Sequence, residues 1–159
     1  MTRAADVAAI TGPNFTPWYN QSAGTFVVSG STLNPAGSAN RLVWVDRSGG
    51  TTYQYAVAAT IRTNDWQGEV VDNSATQALL TATSSARSGS FAIAYATNDF
   101  AASLNGASAL TDISGTVPTN MDVLRIGNHR DNTYLNGHIR SIRFYPSRLT
   151  NAQLQALTA

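Results

Sequence analysis

Residues 135–157, LNGHIRSIRFYPSRLTNAQLQAL, decide the fold, because they read in order as a turn, a buried strand and a capped helix. Asn136-Gly137 favours a tight type I′ hairpin turn, since both residue types tolerate positive φ. A strand is expected to start near His138. Ile142 and Phe144 share one face of it, while Ile139 falls on the opposite parity, so either a bulge re-aims Ile139 or the strand is buried on both faces. Pro146 cannot donate to a ladder and is expected to end the strand. Thr150 and Gln153 have the spacing of a capping box, and Leu149 and Leu154 that of a hydrophobic staple, which predicts a short helix from Asn151 to about Leu157.

Strand-like runs recur along the chain, separated by Gly, Ser, Asn and Pro clusters. Tyr53, Tyr55, Val57, Ala59 and Ile61 alternate with smaller or polar residues, as do Phe91, Ile93 and Tyr95 with alanines. Phe100, Ala102 and Leu104 lead to Asn105-Gly106, a second turn signal. Further strands are expected at 25–29, 41–46, 66–71 and 78–83, with Ser48-Gly49-Gly50 as a hairpin connection and loops at 31–40 and 107–120. The expected fold class is all-β, a two-sheet antiparallel sandwich with one short C-terminal helix, in a single domain spanning residues 1–159. Small residues opposite the expected core face, Ala56, Ala58 and Thr60 in one strand and Ala92, Ala94 and Ala96 in another, fit ordinary packing, a subunit interface or the floor of a groove.

Charged residues make up 12% of the chain, about half the usual ~25% of soluble domains. Every basic residue is an arginine, the formal net charge is +1, and no run of like charges occurs. A nucleic-acid partner is not expected, because phosphate contacts need a concentrated basic footprint. Arg140, Arg143 and Arg148 come nearest to a cluster and read as a solvated surface. The absence of cysteine excludes a disulfide framework, a thiolate metal site and a cysteine nucleophile. No stretch approaches the ~20 apolar residues of a membrane-spanning helix, and the N-terminus leads into no signal-peptide core. The expectation is a soluble product, released by lysis or joined to other segments of a longer protein, without membrane insertion.

The C-terminal stretch resembles the closing segment of laminin-G-like and pentraxin-like domains, members of the concanavalin A-like lectin and glucanase group. The matching positions are Gly137, Ile139, Ile142, Tyr145, Leu149, Thr150, Gln153 and Leu154. Upstream, 122–127 (DVLRIG) looks like the preceding strand of that group, and Ala92-Ile93-Ala94-Tyr95 running to Leu104-Asn105-Gly106 resembles its central hairpin, so the likeness runs from residue 92 onward. Residues 2–28, with Trp18-Tyr19-Asn20 ahead of Gly24-Thr25, are similar to the opening of lectin-like C-terminal domains in phage virion proteins. These resemblances imply a lectin-like jelly roll on the virion surface, in a tail fibre or a head spike.

Hydrolase relatives in that group carry Glu-x-Asp-x-x-Glu on one strand, and this chain has a single glutamate, Glu69, and no such motif. Asp65 and Glu69 on one strand would stand roughly 13 Å apart, beyond the ~5–9.5 Å that glycosidases use. No nucleophile elbow, phosphate loop or His-Glu-x-x-His motif is present, so catalytic residues are expected to be none and the protein is expected not to be an enzyme. His129 and His138 nominate no metal site. No cofactor is expected; calcium, which relatives hold through loop oxygens, has its best local pairs at Asp131-Asn132 and Asn98-Asp99, each equally well explained as a turn former.

Binding a glycan without cleaving it needs a planar aromatic for the apolar sugar face and polar groups for the hydroxyls. Asn64, Asp65, Trp66 and Gln67 supply that mixture in consecutive positions, and Arg130, Asp131, Asn132 and Tyr134 supply it again. Trp18 and Trp44 read as core residues. The expected function is a non-catalytic module recognising host cell-surface polysaccharide, with other virion proteins as partners and a homo-oligomer as its state; the alternative is structural decoration of the capsid without glycan binding.

Overall fold

The computed structural model describes residues 8–33, 40–50, 53–130 and 134–159. In chain order the strands are β1 (Ala8–Thr11), β2 (Ala23–Thr32), β3 (Asn40–Asp46), β4 (Ala56–Ile61), β5 (Asp65–Asp72), β6 (Ala75–Thr83), β7 (Ser88–Ala96), β8 (Phe100–Leu104), β9 (Leu110–Asp112), β10 (Val123–Ile126) and β11 (Gly137–Tyr145). One helix, α1 (Asn151–Thr158), follows β11, and a single 3-10 turn (Gly12–Asn14) follows β1. Two antiparallel sheets face each other, a six-stranded one in the order β1-β10-β3-β4-β5-β6 and a five-stranded one in the order β11-β2-β7-β8-β9. This is the jelly-roll sandwich with one C-terminal helix that the sequence predicts.

The alternation that defines each strand also builds the core. Phe26 and Val28 of β2, Phe91, Ile93 and Tyr95 of β7, and Phe100, Ala102 and Leu104 of β8 point inward from the five-stranded sheet. Val57, Ala59 and Ile61 of β4 and Trp66 and Val70 of β5 meet them from the six-stranded sheet. One end is closed by aromatic rings from the segment before β2. Phe15 stacks on Tyr19 at 4.6 Å, Tyr19 stacks on Phe144 at 5.4 Å, and Trp18 meets Phe144 edge-on at 5.3 Å. The Trp-Tyr-Asn segment is therefore a plug, and Trp18 is half-buried rather than enclosed.

The deciding stretch behaves as its chemistry dictates, with one exception. A bulge between Ile139 and Ser141 lets both Ile139 and Ile142 pack on the core, which settles the parity conflict. β11 ends at Tyr145, before Pro146. Thr150 and Gln153 form the reciprocal capping box, and Leu149 packs with Leu154 as the staple requires. The exception is Asn136-Gly137, which is not a left-handed turn: neither residue has positive φ, and Gly137 already belongs to β11. Its glycine is needed for another reason, because a Cβ there would run into the carbonyl oxygen of Ser31 on β2. Asn105-Gly106 does form the positive-φ pair, at 49° and 73°.

Helix α1 lies on the outer face of the five-stranded sheet, with fully buried Leu154 seated among Val27, Ala92, Ala94 and Ala101. The small residues of β7 thus accommodate the chain's own helix. Burying one leucine there contributes about 1.5–3 kcal/mol. Those of β4 lie on the outer face of the other sheet, where Ala56 and Ala58 pack with Trp44 and Val71. The expected strand at 53–61 is shorter than its pattern: β4 starts at Ala56, and Tyr53 takes φ 58° in the preceding turn. Within the expected 107–120 loop, Leu110–Asp112 forms β9, while residues 34–39 of the other loop lie outside the described residues.

Candidate functional site

The outer face of the six-stranded sheet carries two buried charged side chains, Arg41 and Asp46. A bulge in β3 between Arg41 and Val43 turns Leu42 and Val43 both into the core. Trp44 and Arg41 are thereby left on the outer face, where Trp44 stands opposite Ala58 of β4 and Arg125 of β10, and Arg41 opposite Thr60. The small side chains of Ala56 and Ala58, with Val71 beside them, give the indole of Trp44 room to lie on the sheet.

Arg41 is 6% exposed, and its guanidinium is held on three sides. Nη1 donates to Thr60 Oγ1 at 2.9 Å and Nη2 to the Tyr53 hydroxyl at 2.7 Å. Its carbon centre lies 4.8 Å from the Trp44 ring and 5.6 Å from the Tyr53 ring. Trp44, Tyr53 and His129 form one aromatic cluster, with Trp44–His129 at 4.2 Å and Tyr53–His129 at 4.9 Å. Among the described residues no carboxylate pairs with Arg41, and its Nε is buried without a hydrogen-bond partner. A buried cation left unneutralised is costly, whereas a fixed guanidinium is well prepared to meet an anion.

This guanidinium lines a surface pocket of about 270 Å³ with Tyr53, Arg62, Gln67, Glu69 and Leu79. The pairings Arg41–Thr60–Gln67 and Ala58–Glu69–Leu79 run side by side across β3 to β6, so strand register alone assembles the floor. Arg62 donates from Nη1 to Gln67 Oε1 at 3.0 Å, which fixes the amide and leaves its NH₂ free to turn to a ligand. Two cations, one carboxylate, an amide, a phenol and an apolar edge thus converge on one opening.

A second charged group lies on the same face. Asp46, 2% exposed, receives Arg125 Nε at 3.1 Å and Arg130 Nε at 2.6 Å on a single oxygen, Oδ2. Arg130 also donates to the carbonyl of Gly50, tying the segment after β10 to the one after β3.

The two tetrads expected from the sequence are divided by this geometry. Trp66 is fully buried against Phe91 and donates from Nε1 to the Ala86 carbonyl at 2.9 Å. It is a core residue and cannot stack on a sugar; the alternation of β5 sends Asp65, Gln67 and Glu69 outward and Trp66, Gly68 and Val70 inward. Asn64 is exposed in the β4–β5 turn, Asp65 is half-buried, and Gln67 alone of the four lines the pocket. Arg130 braces Asp46. Tyr134 faces a different recess, of about 370 Å³, shared with Ala8, Ile126, Leu135 and Ile139 at the opposite edge of the sandwich. Asp131 and Asn132 lie outside the described residues. Trp44 is buried, as expected, but in a cluster with Ala56, Ala58 and Val71 on the outer face of its sheet rather than between the sheets.

Of the residues that line the pocket, Arg41, Tyr53 and Arg62 are absent from the two expected tetrads, and Glu69 enters the sequence reading only as a possible catalyst. One signal was available: Arg41 opens the run RLVWVD, which otherwise reads as a strand buried on both faces, and a charge inside such a run needs a purpose. The Asn98-Asp99 pair is engaged by distant parts of the chain, Asn98 Oδ1 accepting from Gly115 N at 3.0 Å and Asp99 pairing with Arg148 at 2.8 Å. Among the described residues no three His, Asp or Glu side chains gather as a metal site.

No family model matches the chain, and no curated protein does. Solved structures do match in shape. The CBM40 module of the Ruminococcus gnavus IT-sialidase, bound to alpha2,3 sialyllactose, superposes with a TM-score of 0.76 at 17% identity over 99% of this chain and 95% of that one. Domains LG4-5 of the mouse laminin alpha1 chain give 0.65 at 9% identity, covering 91% of this chain and 40% of that one. A heptameric SAP-like pentraxin from Limulus polyphemus gives 0.65 at 11% identity, over 98% and 84%. The fold is that of the concanavalin A-like jelly rolls.

Proposed function

We propose that this chain is a non-catalytic, lectin-like module that binds acidic glycans in the Arg41 pocket, as part of a phage virion protein that recognises the host surface. The observation that carries the reading is the buried, unneutralised guanidinium of Arg41 lining a solvent-open pocket. A sugar carboxylate would take the remaining N–H donors of Arg41 and those of Arg62, since guanidinium and carboxylate match in geometry. Gln67 and Glu69 offer partners for hydroxyls, and Tyr53, 44% exposed, offers a ring for an apolar sugar face. The CBM40 structure with sialyllactose supports the same class of ligand, a glycan ending in a carboxylated sugar.

A binding role fits the carboxylates better than hydrolysis does. Asp65 and Glu69 both lie on β5 and face outward, and four strand residues put them roughly 13 Å apart, too far for a glycosidase pair. The placement on a virion rests on the N-terminal resemblance alone. Weak single sites would suffice there, because repetition on a particle multiplies avidity.

Calorimetric titration with 3′-sialyllactose and with lactose tests the proposal. Binding is expected for the acidic sugar only, and Arg62→Ala, an exposed change, should weaken it about tenfold while leaving the thermal midpoint unchanged. An intact wild type that binds no acidic glycan would overturn the reading; an oligomer of that kind would favour structural decoration.

A further inference from the structure

A sandwich of two open sheets ends in four edge strands, and each unpaired edge is a template for another strand unless it is blunted. Three of the four edges here are blunted. β1 has four residues and β9 three, too short to template a partner. β11 carries exposed His138, Arg140 and Arg143 together with a bulge at Arg140. β6 has no such device over its second half. Its nine residues, ATQALLTAT, include neither charge nor proline, and the uncharged run extends over residues 73–86. The one irregularity, an extra residue at Gln77, lies where the edge is already covered, since Thr116 N donates to Gln77 Oε1 at 3.0 Å.

Register tells which backbone groups are open. Ser84 N donates to Asn64 O at 2.9 Å across the Asp65–Thr83 pair, which makes that pair non-hydrogen-bonded. Trp66–Ala82, Gly68–Leu80 and Val70–Ala78 are then the bonded pairs, and the N–H and C=O groups of Leu79, Thr81 and Thr83 turn away from β5. Nothing among the described residues pairs them. Leu79 is 51% exposed, and Ile113, just beyond β9, is 80% exposed. Between β6 and the β8–β9 edge lies a recess of about 310 Å³ lined by Ala82, Ala102, Leu104 and Leu110.

The geometry points to β6 as a self-pairing edge: two copies of this chain join antiparallel across a two-fold axis at Thr81, and their six-stranded sheets become one continuous sheet. A second copy fits because the open groups repeat with the same spacing on both strands. Thr81 meets Thr81 of the second copy, and Leu79 meets its Thr83, each pair exchanging two hydrogen bonds. Threonine opposite threonine is a favourable cross-strand pair, no charge is buried, and the isologous contact closes at two copies. Ala82 comes to lie opposite Leu80 of the second copy, which brings apolar surface over the recess. Leu79 also lines the Arg41 pocket, so both pockets end up on one face of the joined sheet. That last consequence rests on the binding function proposed above, whereas the pairing does not.

The chain has no cysteine, so Thr81→Cys introduces a single thiol. In a hydrogen-bonded pair its Cα would lie about 5.5 Å from its mate, within disulfide reach. Light scattering of the purified wild type should give twice 16.8 kDa, and mild oxidation should link Thr81→Cys, but not Ser88→Cys, into a covalent dimer. Thr81→Lys sets like charges face to face and should weaken the dimer by about tenfold or more with an unchanged circular dichroism spectrum; Thr83→Lys, displaced from the axis, should weaken it as well. A wild type of 16.8 kDa at every concentration, or a dimer that both lysine variants leave intact, would overturn the pairing. Glycan titration of the monomeric variant separates this outcome from failure of the binding proposal.

Discussion

Arg41 Nη2 donates to the Tyr53 hydroxyl at 2.7 Å, and Tyr53 makes that bond from a backbone φ of 58°. A non-glycine residue in the left-handed region stores roughly 1–3 kcal/mol of strain, offset here by the ring contacts with Trp44 and His129 and by the bond to the guanidinium. Tyr53 accepts from Arg41, so its own proton remains to be donated to a ligand. Tyr53→Phe keeps the ring and removes both roles. It should lower stability in a denaturant melt by about 1.5–3 kcal/mol, the worth of a hydrogen bond to a charged group, and weaken acidic-glycan binding severalfold. Unchanged affinity in this variant would remove Tyr53 from the site.

Trp66→Ala is expected to act on the fold. The indole is fully buried, and its removal leaves a cavity between the sheets while freeing the Ala86 carbonyl. Large-to-small changes of this kind cost about 3–5 kcal/mol. Loss of glycan binding in Trp66→Ala should therefore run parallel with loss of structure, and binding measured well below its melting point should be near that of the wild type. A variant with unchanged stability but abolished binding would contradict the buried placement.

The two tryptophans show where sequence was informative and where it was not. In β5, polar Asp65, Gln67 and Glu69 alternate with Trp66, Gly68 and Val70, so the inward direction of Trp66 was legible from parity; its polar neighbours along the chain obscured it. In β3, the run RLVWVD offers no alternation, and the bulge that turns Trp44 outward is set by pairing with β4, which a local pattern does not contain. The strands and the capped helix were legible because residue alternation and the Thr150–Gln153 pair lie within a few positions of chain, whereas at Ile139 the parity conflict was legible and its resolution by a bulge was not. The Arg41 pocket was not, because register across four strands brings its parts together.

Gly137 is a second case in which distance along the chain hides the reason. Asn-Gly reads as a turn, yet the glycine is required by Ser31, on a strand far away in sequence. Gly137→Ala should push β11 away from β2 and destabilise the protein by about 1–3 kcal/mol, the usual cost of overpacking. Asn136 accepts from Leu33 N and Thr32 Oγ1 through its backbone carbonyl, so Asn136→Ala keeps both bonds and should be near neutral. Equal effects of the two changes, measured by thermal melts, would restore the turn explanation.

Tyr19 and Tyr95 predict how the fold fails in alkali. Both rings are buried in the end of the core that Phe15 and Phe144 close, and burial pushes both phenols well above the ordinary tyrosine range. Tyr95 also keeps its proton on the Asn20 carbonyl at 3.1 Å. In the unfolded chain the same phenols ionise near pH ~10. Above that pH the folded state holds protons that the unfolded state has released, so stability is complete below pH ~10 and falls as pH rises further. The two phenols should therefore ionise only as the sandwich opens, giving a step in tyrosinate absorbance that coincides with loss of the β-sheet circular dichroism signal. Ionisation of all six tyrosines while that signal persists would show that water reaches this end of the core.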